Sequence, residues 1–352
     1  MALNDLLTLG RSGLKVSPLC LGAMTFGDGD GWTCDEPTSR RMIASYLEAG
    51  GNFIDTADAY TSGRSEEIVG ATLADLGKRR ETVIATKFTF GGNRADTNDL
   101  GNGRKNAIQS VEDSLRRLGT DYIDLYWLHA WDTAVPHQEV VQTFDALIRA
   151  GKIRYYGLSD VPAWFATRIC DYAERTGMAA PIAMQLEYSL LERVIEREHL
   201  PMAARLGLGV TPWSPLAGGL LSGKYKRGEK PAEDSRMGTL GSTQQRRLGD
   251  DELWNVLETL QGIAEKSGYS AAQIALAWAV RQYPSTSVII GVSKEKQLED
   301  NIAALDVELD DDQWKALDVA SRLPSVAPYN FFFPGRMKAM IGEYRTFDRY
   351  PW

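Results

Sequence analysis

Short runs of apolar, β-branched and aromatic residues, each closed by a polar or glycine-rich break, recur eight times along the chain. Runs with this pattern are typical of strands that are buried in a parallel sheet. Most of them precede a segment whose apolar residues are three and four positions apart, as in an amphipathic helix. The eight predicted strands are residues 16–24, 52–55, 83–88, 122–129, 154–159, 182–187, 210–213 and 287–292.

Three of the helical segments show this apolar spacing most clearly, and in each the apolar residues should share one buried face. The three stripes are Ile68, Val69, Leu73 and Leu76; Ile108, Val111, Leu115 and Leu118; and Ile274, Leu276, Ala277 and Val280. Gly119 should end the second of these helices. Alternating strands and helices need right-handed crossovers, and eight such units close into a (β/α)8 TIM barrel of the α/β class.

The chain has 352 residues, which exceeds the roughly 250 typical of such a barrel, so the surplus must lie in loops and tails. Polar, glycine-bearing stretches follow three strands, and residues 27–37, 91–104 and 225–251 are therefore predicted to be extended rim loops. Residues 7–16 predict an N-terminal β-hairpin. We expect one domain, residues 1–352, whose aromatic C-terminal tail, residues 325–352, packs near the rim.

The composition indicates a soluble enzyme with a large core, because 43% of the residues are hydrophobic and 24% are charged. The 39 Lys and Arg against 47 Asp and Glu give a net charge of −8, with no basic tract for a nucleic-acid backbone. No apolar run approaches the roughly 18 residues of a membrane span, and the N-terminus lacks the features of a signal peptide. We expect a cytoplasmic protein that binds neither nucleic acid nor a membrane.

Residue spacing also argues against several other classes of site. Cys20, Cys34 and Cys170 form no close pair, so neither a disulfide framework nor a thiolate metal site is predicted. The three histidines have no spacing that would ligate a metal from one helix, and we predict no metal site. No G-x-S-x-G elbow, P-loop or G-x-G-x-x-G opening a helix is present, so any bound nucleotide needs another architecture.

Four polar residues, Asp55, Tyr60, Lys87 and His129, fall at or just past the ends of separate predicted strands, where a barrel has its active-site rim. Together they suit proton transfer to a carbonyl group. A neighbouring lysine ammonium should lower the pKa of the Tyr60 phenol from its usual value of about 10. Asp55 would keep Lys87 charged, and His129 would donate a hydrogen bond to the carbonyl oxygen.

The segments around these residues closely resemble the aldo-keto reductases, across nearly the whole chain. The matching segments are residues 51–60 (GNFIDTADAY), 84–87 (IATK), 124–129 (DLYWLH), 151–159 (GKIRYYGLS), Gln185, 213–224 (WSPLAGGLLSGK) and 291–301 (GVSKEKQLEDN). The resemblance is to a long-loop branch with aryl-alcohol dehydrogenase-like and channel β-subunit-like members. It implies reversible, NADPH-dependent reduction of an aldehyde or ketone, with Tyr60 as general acid and base and His129 orienting the carbonyl.

The resemblance also implies where NADP(H) binds. Ser159 and Gln185 would contact the carboxamide, Trp213 would stack on the nicotinamide, and residues 214–218 would follow the pyrophosphate. Lys294, near the start of a helix, would hold the 2′-phosphate, which favours NADP over NAD. The expected cofactor contacts are Gly22, Ala23, Met24, Asp55, Ser159, Asp160, Gln185, Trp213, Ser214, Pro215, Leu216, Ala217, Gly218, Lys224, Arg236, Gly291, Ser293, Lys294, Gln297, Asp300 and Asn301.

Asp160 stands where the family commonly has asparagine, and it cannot donate a hydrogen bond to the carboxamide carbonyl. We hypothesise that Asp160 modulates cofactor affinity. Trp32, Phe88 and Trp131, with the tail near Phe331, are candidates for an aromatic substrate pocket, although their rings could equally serve loop packing. An aromatic mouth would favour a bulky or aromatic carbonyl compound.

Two alternatives to a working reductase stay open. The chain could be an NADP(H)-binding regulatory or redox-sensing module with little turnover, as in the channel β-subunit branch. It could also be an NADP+-dependent alcohol dehydrogenase that works mainly in the oxidative direction. The choice between monomer and homo-oligomer is undecided, because barrel helices are amphipathic in either state.

Overall fold

The protein structure used is a computed structural model, which describes residues 1–28, 32–91, 95–229, 249–282, 284, 286–332 and 334–342. Eight parallel strands form a nearly closed barrel surrounded by helices, which confirms the predicted (β/α)8 TIM barrel. An antiparallel hairpin of β1 (Leu7–Thr8) and β2 (Lys15–Val16) precedes it. The barrel strands are β3 (Leu19–Gly22), β4 (Phe53–Asp55), β5 (Val83–Phe88), β6 (Ile123–Leu128), β7 (Ile153–Ser159), β8 (Ala183–Glu187), β9 (Gly209–Trp213) and β10 (Val288–Gly291).

Helices follow the strands along the chain, and two of the helices in its described part lie between β9 and β10. They are α1 (Glu36–Glu48), α2 (Arg64–Asp75), α3 (Arg104–Leu118), α4 (His137–Arg149), α5 (Ala163–Thr176), α6 (His199–Leu206), α7 (Asp251–Ser267), α8 (Ala271–Arg281), α9 (Glu295–Ile302), α10 (Asp311–Ala320) and α11 (Pro334–Ile341). None of the helices in the described part of the chain has the length and apolar character that crossing a membrane requires.

The barrel closes where β10 pairs with β3 over four residues. On the other side of β10, the residues just before this strand hydrogen-bond to β9, where the Thr286 amide donates to the Val210 carbonyl at 2.8 Å. The hairpin covers the end of the barrel at which the strands begin. There the Arg11 amide donates to the Gly207 carbonyl at 2.8 Å. A Cβ on Gly10 would lie 2.4 Å from the Ile182 carbonyl oxygen, so glycine allows this close approach.

The core has two apolar parts. A smaller cluster fills the barrel interior near the hairpin and includes Leu9, Phe53 and Trp127. The larger cluster lies between the strands and the surrounding helices. Gly157 makes room for the Trp127 indole, since a Cβ there would come within 2.2 Å of the ring. This packing fills the barrel below the rim and leaves the carboxyl ends of the strands for the site.

Three details of the sequence-based prediction differ in the structure. Leu76, predicted to share the buried stripe of α2, lies just beyond the end of that helix and is 44% exposed. The first predicted strand, 16–24, is divided, because Val16 belongs to the hairpin and the barrel strand begins only at Leu19. The predicted buried stripe of α3 is wrong at Ile108, which is 42% exposed, while Ala107 is buried. Gly119 ends α3 in the left-handed conformation, with φ of 60°, as predicted.

The rim loops are partly ordered by local hydrogen bonds. Asp35 caps α1 by accepting from the Thr38 amide at 2.9 Å, so the predicted loop 27–37 ends inside the first turn of that helix. Most of the predicted loop 225–251 lies outside the described residues. In the tail, the Tyr329 hydroxyl donates to Glu198 at 2.5 Å, beside the start of α6.

Candidate active site

Asp55, Tyr60, Lys87 and His129 come together at the carboxyl ends of β4, β5 and β6. Asp55 is the last residue of β4 and Lys87 lies in β5, which pairs with β4 in parallel. Tyr60 begins a short 3-10 turn after β4, and His129 directly follows β6. The barrel geometry thus brings residues from three strand ends to one position, as predicted for the rim.

Lys87 is the centre of this group and is fully buried. Its ammonium donates to the Asp55 carboxylate in a short ion pair, to the Thr56 carbonyl at 2.8 Å and to the Tyr60 hydroxyl at 3.0 Å. The other oxygen of Asp55 accepts from the Gln185 amide at 2.9 Å. All three ammonium hydrogens and both carboxylate oxygens therefore have partners, which a buried ion pair requires.

The pKa of Tyr60 differs from the sequence-based expectation, which was that Lys87 would lower it. Burial raises the pKa of the Tyr60 phenol above its usual value, and the opposing effect of Lys87 is smaller. Burial alone would lower the pKa of Lys87, but the Asp55 and Tyr60 groups outweigh it and raise that pKa. Tyr60 is consequently a neutral phenol held by a charged lysine, which is the state of a proton donor.

His129 is a neutral imidazole at physiological pH. Burial, with a contribution from Lys87, lowers its pKa to about 3. Its Nδ1 is buried with no hydrogen-bond partner among the described residues, and its ring centroid lies 6.0 Å from that of Tyr60. A neutral imidazole still has one N–H to donate. His129 can thus offer a hydrogen bond to a substrate oxygen without placing a second positive charge beside Lys87.

Backbone strain concentrates on the same rim. Within the described residues, non-glycine positions with positive φ include Thr61, Asp160, Ser214 and Ala217, and all of them follow barrel strands. Such conformations cost on the order of 1–3 kcal/mol each and occur most often at functional sites. Their location indicates that the rim loops are shaped for a ligand.

Three expected cofactor contacts lie side by side at the ends of β7 and β8. Ser159 and Gln185 are register partners in the sheet, and both are buried. Asp160, with φ of 44°, accepts a hydrogen bond from the Trp213 indole at 3.1 Å. Burial raises the pKa of Asp160 to about 6, although Trp213 and Lys87 oppose the shift. These groups could hold a flat polar ring above the barrel centre.

The segment after β9 forms a concave run of backbone amides. Ser214, Ala217, Gly218 and Gly219 have φ of 54°, 49°, 66° and 96°. The Gly218 amide donates to the Ser214 hydroxyl at 3.2 Å. The Lys224 ammonium lies close to Gly219, at 3.4 Å from the position of a Cβ on that glycine. The amides of Ala217 and Gly219 likewise donate within the segment, to the Ser214 and Leu216 carbonyls at 2.8 and 2.9 Å. The positive charge that these turns offer an anion therefore comes from the Lys224 ammonium.

The start of α9 carries the residues expected to hold the 2′-phosphate. Lys294 is exposed and its amide, like that of Ser293, donates to Oε1 of Gln297, at 3.2 and 2.8 Å. Asp300 accepts from Ser270 at 3.1 Å and from Gln273 at 2.8 Å, so it also anchors the start of α8. The remaining expected contacts at this end are Gly291, exposed at the end of β10, and buried Asn301. Their cofactor roles stay predictions.

The other expected cofactor residues are distributed along the rim. Gly22 ends β3, and the Ala23 amide donates to the Asp55 carbonyl at 2.8 Å. Met24 is half-buried just beyond them. Pro215 and Leu216 lie within the concave segment after β9. Arg236, also predicted to bind the cofactor, lies outside the described residues.

The structure separates the three residues expected in a substrate pocket. Trp131 lines a rim cavity of about 580 Å³, together with Asp160 and Trp213. Trp32 is half-buried in the loop before α1, and its role stays a prediction. The expectation for Phe88 is wrong: its ring stacks on Tyr126, with centroids 5.2 Å apart, in the layer between strands and helices. Alternation along β5 explains this, because Lys87 faces the barrel interior.

Phe90 is a candidate that the sequence did not reveal. Its ring is 50% exposed, and its centroid lies 5.0 Å from that of His129. Thr89, between Phe88 and Phe90, has φ of 137°, so simple strand alternation does not extend across it. The Phe90 ring therefore forms the aromatic edge beside His129 that Phe88 was expected to provide.

Comparisons with known proteins agree with this geometry. The family model described as "Aldo/keto reductase family" matches residues 18–322. A probable voltage-gated potassium channel subunit beta of Oryza sativa subsp. japonica is 40% identical over 304 residues, which cover 85% of this chain and 90% of that protein. A norsolorinic acid reductase of Aspergillus flavus is 35% identical over 332 residues, covering 92% and 82%. An aryl-alcohol dehydrogenase (NADP+) of Phanerodontia chrysosporium is 33% identical over 343 residues, covering 92% and 85%.

Proposed function

The chain belongs to the aldo/keto reductase family, and we propose that it reduces an aldehyde or ketone to an alcohol with NADPH. Family membership makes it an oxidoreductase that acts on small molecules. The observation that carries the more specific proposal is the hydrogen bond from the buried Lys87 ammonium to the Tyr60 hydroxyl. It places a phenol proton beside a fixed positive charge at an open strand end.

Tyr60 would act as the general acid. When its proton passes to the carbonyl oxygen, the phenolate that forms accepts a hydrogen bond from Lys87, whose charge is maintained by Asp55. In the oxidative direction the Tyr60 phenolate, stabilised by Lys87, would take the proton back from the alcohol hydroxyl. Since burial disfavours the phenolate, Lys87 reduces the free energy of the charged state when the proton leaves.

His129 would orient the substrate. Its N–H would donate to the carbonyl oxygen, stabilising the negative charge that develops there, while Tyr60 approaches the same oxygen. The two rings meet edge to face, with an interplanar angle of 80°. This role requires the Tyr60 hydroxyl and a His129 ring nitrogen to reach the same substrate oxygen.

The described residues fit a dinucleotide with phosphates. The Lys224 ammonium beside the turns at 214–219 suits a pyrophosphate, and the start of α9 with Lys294 suits a further phosphate. Ser159, Asp160 and Trp213 offer polar atoms and an indole face for the nicotinamide end. When bound, NADPH would supply the hydride that reduces the carbonyl carbon. The NADP+ in the name of the Phanerodontia relative agrees with this cofactor.

The substrate would be an aromatic carbonyl compound. Phe90 lies beside His129. Trp131, two residues after His129, lines the rim cavity that Asp160 and Trp213 also line, and it is in edge contact with Trp164, which is 56% exposed. Such flat apolar surfaces near the reacting groups favour an aryl ring. Two relatives have names that refer to aromatic compounds, norsolorinic acid and aryl alcohols. The second name also keeps the oxidative direction open for this chain.

A second candidate function is a regulatory subunit, which the rice relative's name suggests. The assay that separates the two is loss of NADPH absorbance with a panel of aromatic aldehydes. Oxidation of NADPH should occur, and a Tyr60→Phe variant should lose about 10² to 10⁴ in kcat with little change in NADPH affinity. Tyr172→Phe is the matched control, at a half-buried tyrosine of α5 whose hydroxyl accepts from Gln142 at 3.1 Å. Tight NADPH binding without turnover by the unaltered protein would favour the regulatory candidate.

A further inference from the structure

Asp58 is a buried carboxyl group that the proposed chemistry does not use. It lies in the turn between Asp55 and Tyr60 and is 5% exposed. Its amide donates to the Lys87 carbonyl at 3.2 Å, which attaches the turn to β5. Its Oδ1 is buried with no hydrogen-bond partner among the described residues. An unpartnered buried oxygen is uncommon and calls for a physical reason.

The carboxyl group lies directly against the first residues of the loop that follows β5. A Cβ on Gly91 would come within 2.3 Å of Asp58 Cγ, so only glycine allows this approach. The backbone amides of Gly91 and Ala59 lie near the carboxyl group and act to lower its pKa, which favours its charged form. Gly91 follows Phe90, whose ring contacts His129. Asp58 therefore connects the turn bearing Tyr60 with the loop bearing the proposed aromatic wall.

We infer that Asp58 is a positioning residue, and that the charge on its carboxylate determines how firmly Phe90 is held beside His129. The inference rests on the proposed function for its effect on catalysis. The contact itself does not depend on that function. An ionised carboxylate accepts a stronger hydrogen bond from the Gly91 amide than a neutral one does.

The groups that face Asp58 come from several elements. Glu66 of α2 is fully buried and pairs with Arg117 of α3 at 2.6 Å, and the Tyr126 hydroxyl of β6 is buried without a partner among the described residues. The Arg117 guanidinium thus offsets the negative charge of both the Glu66 and the Asp58 carboxylates. Burial, then Glu66, raise the pKa of Asp58 to about 7, while Arg117 opposes the shift. The carboxyl group accordingly changes charge in the physiological range.

The kinetic test compares wild-type enzyme with Asp58→Asn across pH, using an aromatic aldehyde and saturating NADPH. In the wild type, KM for the aldehyde should fall about fivefold as pH rises from about 6 to about 8. The ionised carboxylate should interact more strongly with the Gly91 amide and so hold Phe90 more firmly beside His129. In Asp58→Asn this component should vanish, with KM near the wild-type value at low pH. A pH dependence of KM that is as large in Asp58→Asn as in the wild type would overturn the inference. Asp121→Asn, an exposed residue at the opposite end of the barrel, is the control.

A second measurement does not require turnover. Hydrogen exchange at the Gly91 amide, corrected for the intrinsic effect of pH, should slow about fivefold from low to high pH in the wild type and not in Asp58→Asn. Gly91→Ala should raise exchange in this segment at every pH by forcing the contact apart. Exchange without pH dependence in the wild type, or unchanged by Asp58→Asn, would overturn the inference. If no carbonyl is reduced but exchange follows this pattern, the positioning role stands and the proposed function fails.

Discussion

Replacing Asp160 by asparagine should change the relative affinity of the protein for NADP+ and NADPH. The substitution removes a charge and little else. Asparagine tolerates the left-handed backbone at φ of 44°, and its side-chain oxygen can still accept from the Trp213 indole, now 3.1 Å from the carboxylate. Asp160 is exposed by surface area, yet enough of the surrounding rim crowds its carboxylate to raise its pKa, and the nicotinamide is proposed to bind beside it.

The magnitude follows from the charge on each form of the cofactor. The oxidised nicotinamide ring carries a positive charge, and the reduced ring is neutral. A carboxylate about 6 Å from that ring, at an effective dielectric constant of about 40 for an exposed site, attracts it by about 1.4 kcal/mol. Asp160→Asn should therefore raise the Kd for NADP+ about tenfold at pH values well above 6 and leave the Kd for NADPH nearly unchanged.

The assay is fluorescence titration of both cofactors at about pH 5 and about pH 8. Because the pKa of Asp160 is raised to about 6, the wild-type preference for NADP+ should increase as pH rises through that value, when the carboxylate ionises. The Asp160→Asn variant should show no such change. Equal ratios of the two dissociation constants in variant and wild type, at about pH 8, would refute the reasoning and remove Asp160 from the nicotinamide end of the site.

Three further changes test other parts of the molecule. Lys294→Ala should weaken NADPH binding about tenfold in Kd and leave NADH binding unchanged, because only NADPH has the 2′-phosphate. Phe90→Ala should raise KM for aromatic aldehydes more than for short aliphatic ones, whereas Phe88→Ala should lower the free energy of unfolding by about 3–5 kcal/mol without altering that selectivity. Gly70→Ala should lower the melting temperature, since a Cβ there would lie 2.2 Å from the Leu118 carbonyl oxygen; Gly262→Ala, with open space around it, should not.

The periodic pattern was sufficient to predict the barrel but not the details that depend on neighbouring elements. Both Ala107 and Ile108 fit a spacing of three or four from Val111, and they differ by only one residue around the helix. The more apolar Ile108 is the exposed one, because α3 is rotated so that Ala107 faces the core. The choice depends on how the helix packs, which periodicity does not specify.

The four central site residues could be found because each lies at a strand end, and the barrel makes strand ends converge. The prediction that Phe88 lines the substrate pocket was wrong, and strand alternation could have corrected it. Adjacent residues of a strand face opposite sides of the sheet, and Lys87 was already expected to face the site. Asp58 was a different case. Its neighbour Gly91 is 33 positions away in another loop, and no local pattern indicates that contact.

The arrangement around Lys87 explains why the four residues should act as a unit. Burial alone would neutralise the lysine, so its charge depends on Asp55, which is in turn held by Gln185. Removing Asp55 would leave an unpaired buried cation, a change that costs about 3–5 kcal/mol unless the lysine loses its proton. A neutral lysine could no longer stabilise the Tyr60 phenolate. Loss of Asp55 and loss of Lys87 should thus have the same consequence for proton transfer, and combining them should add little to either alone.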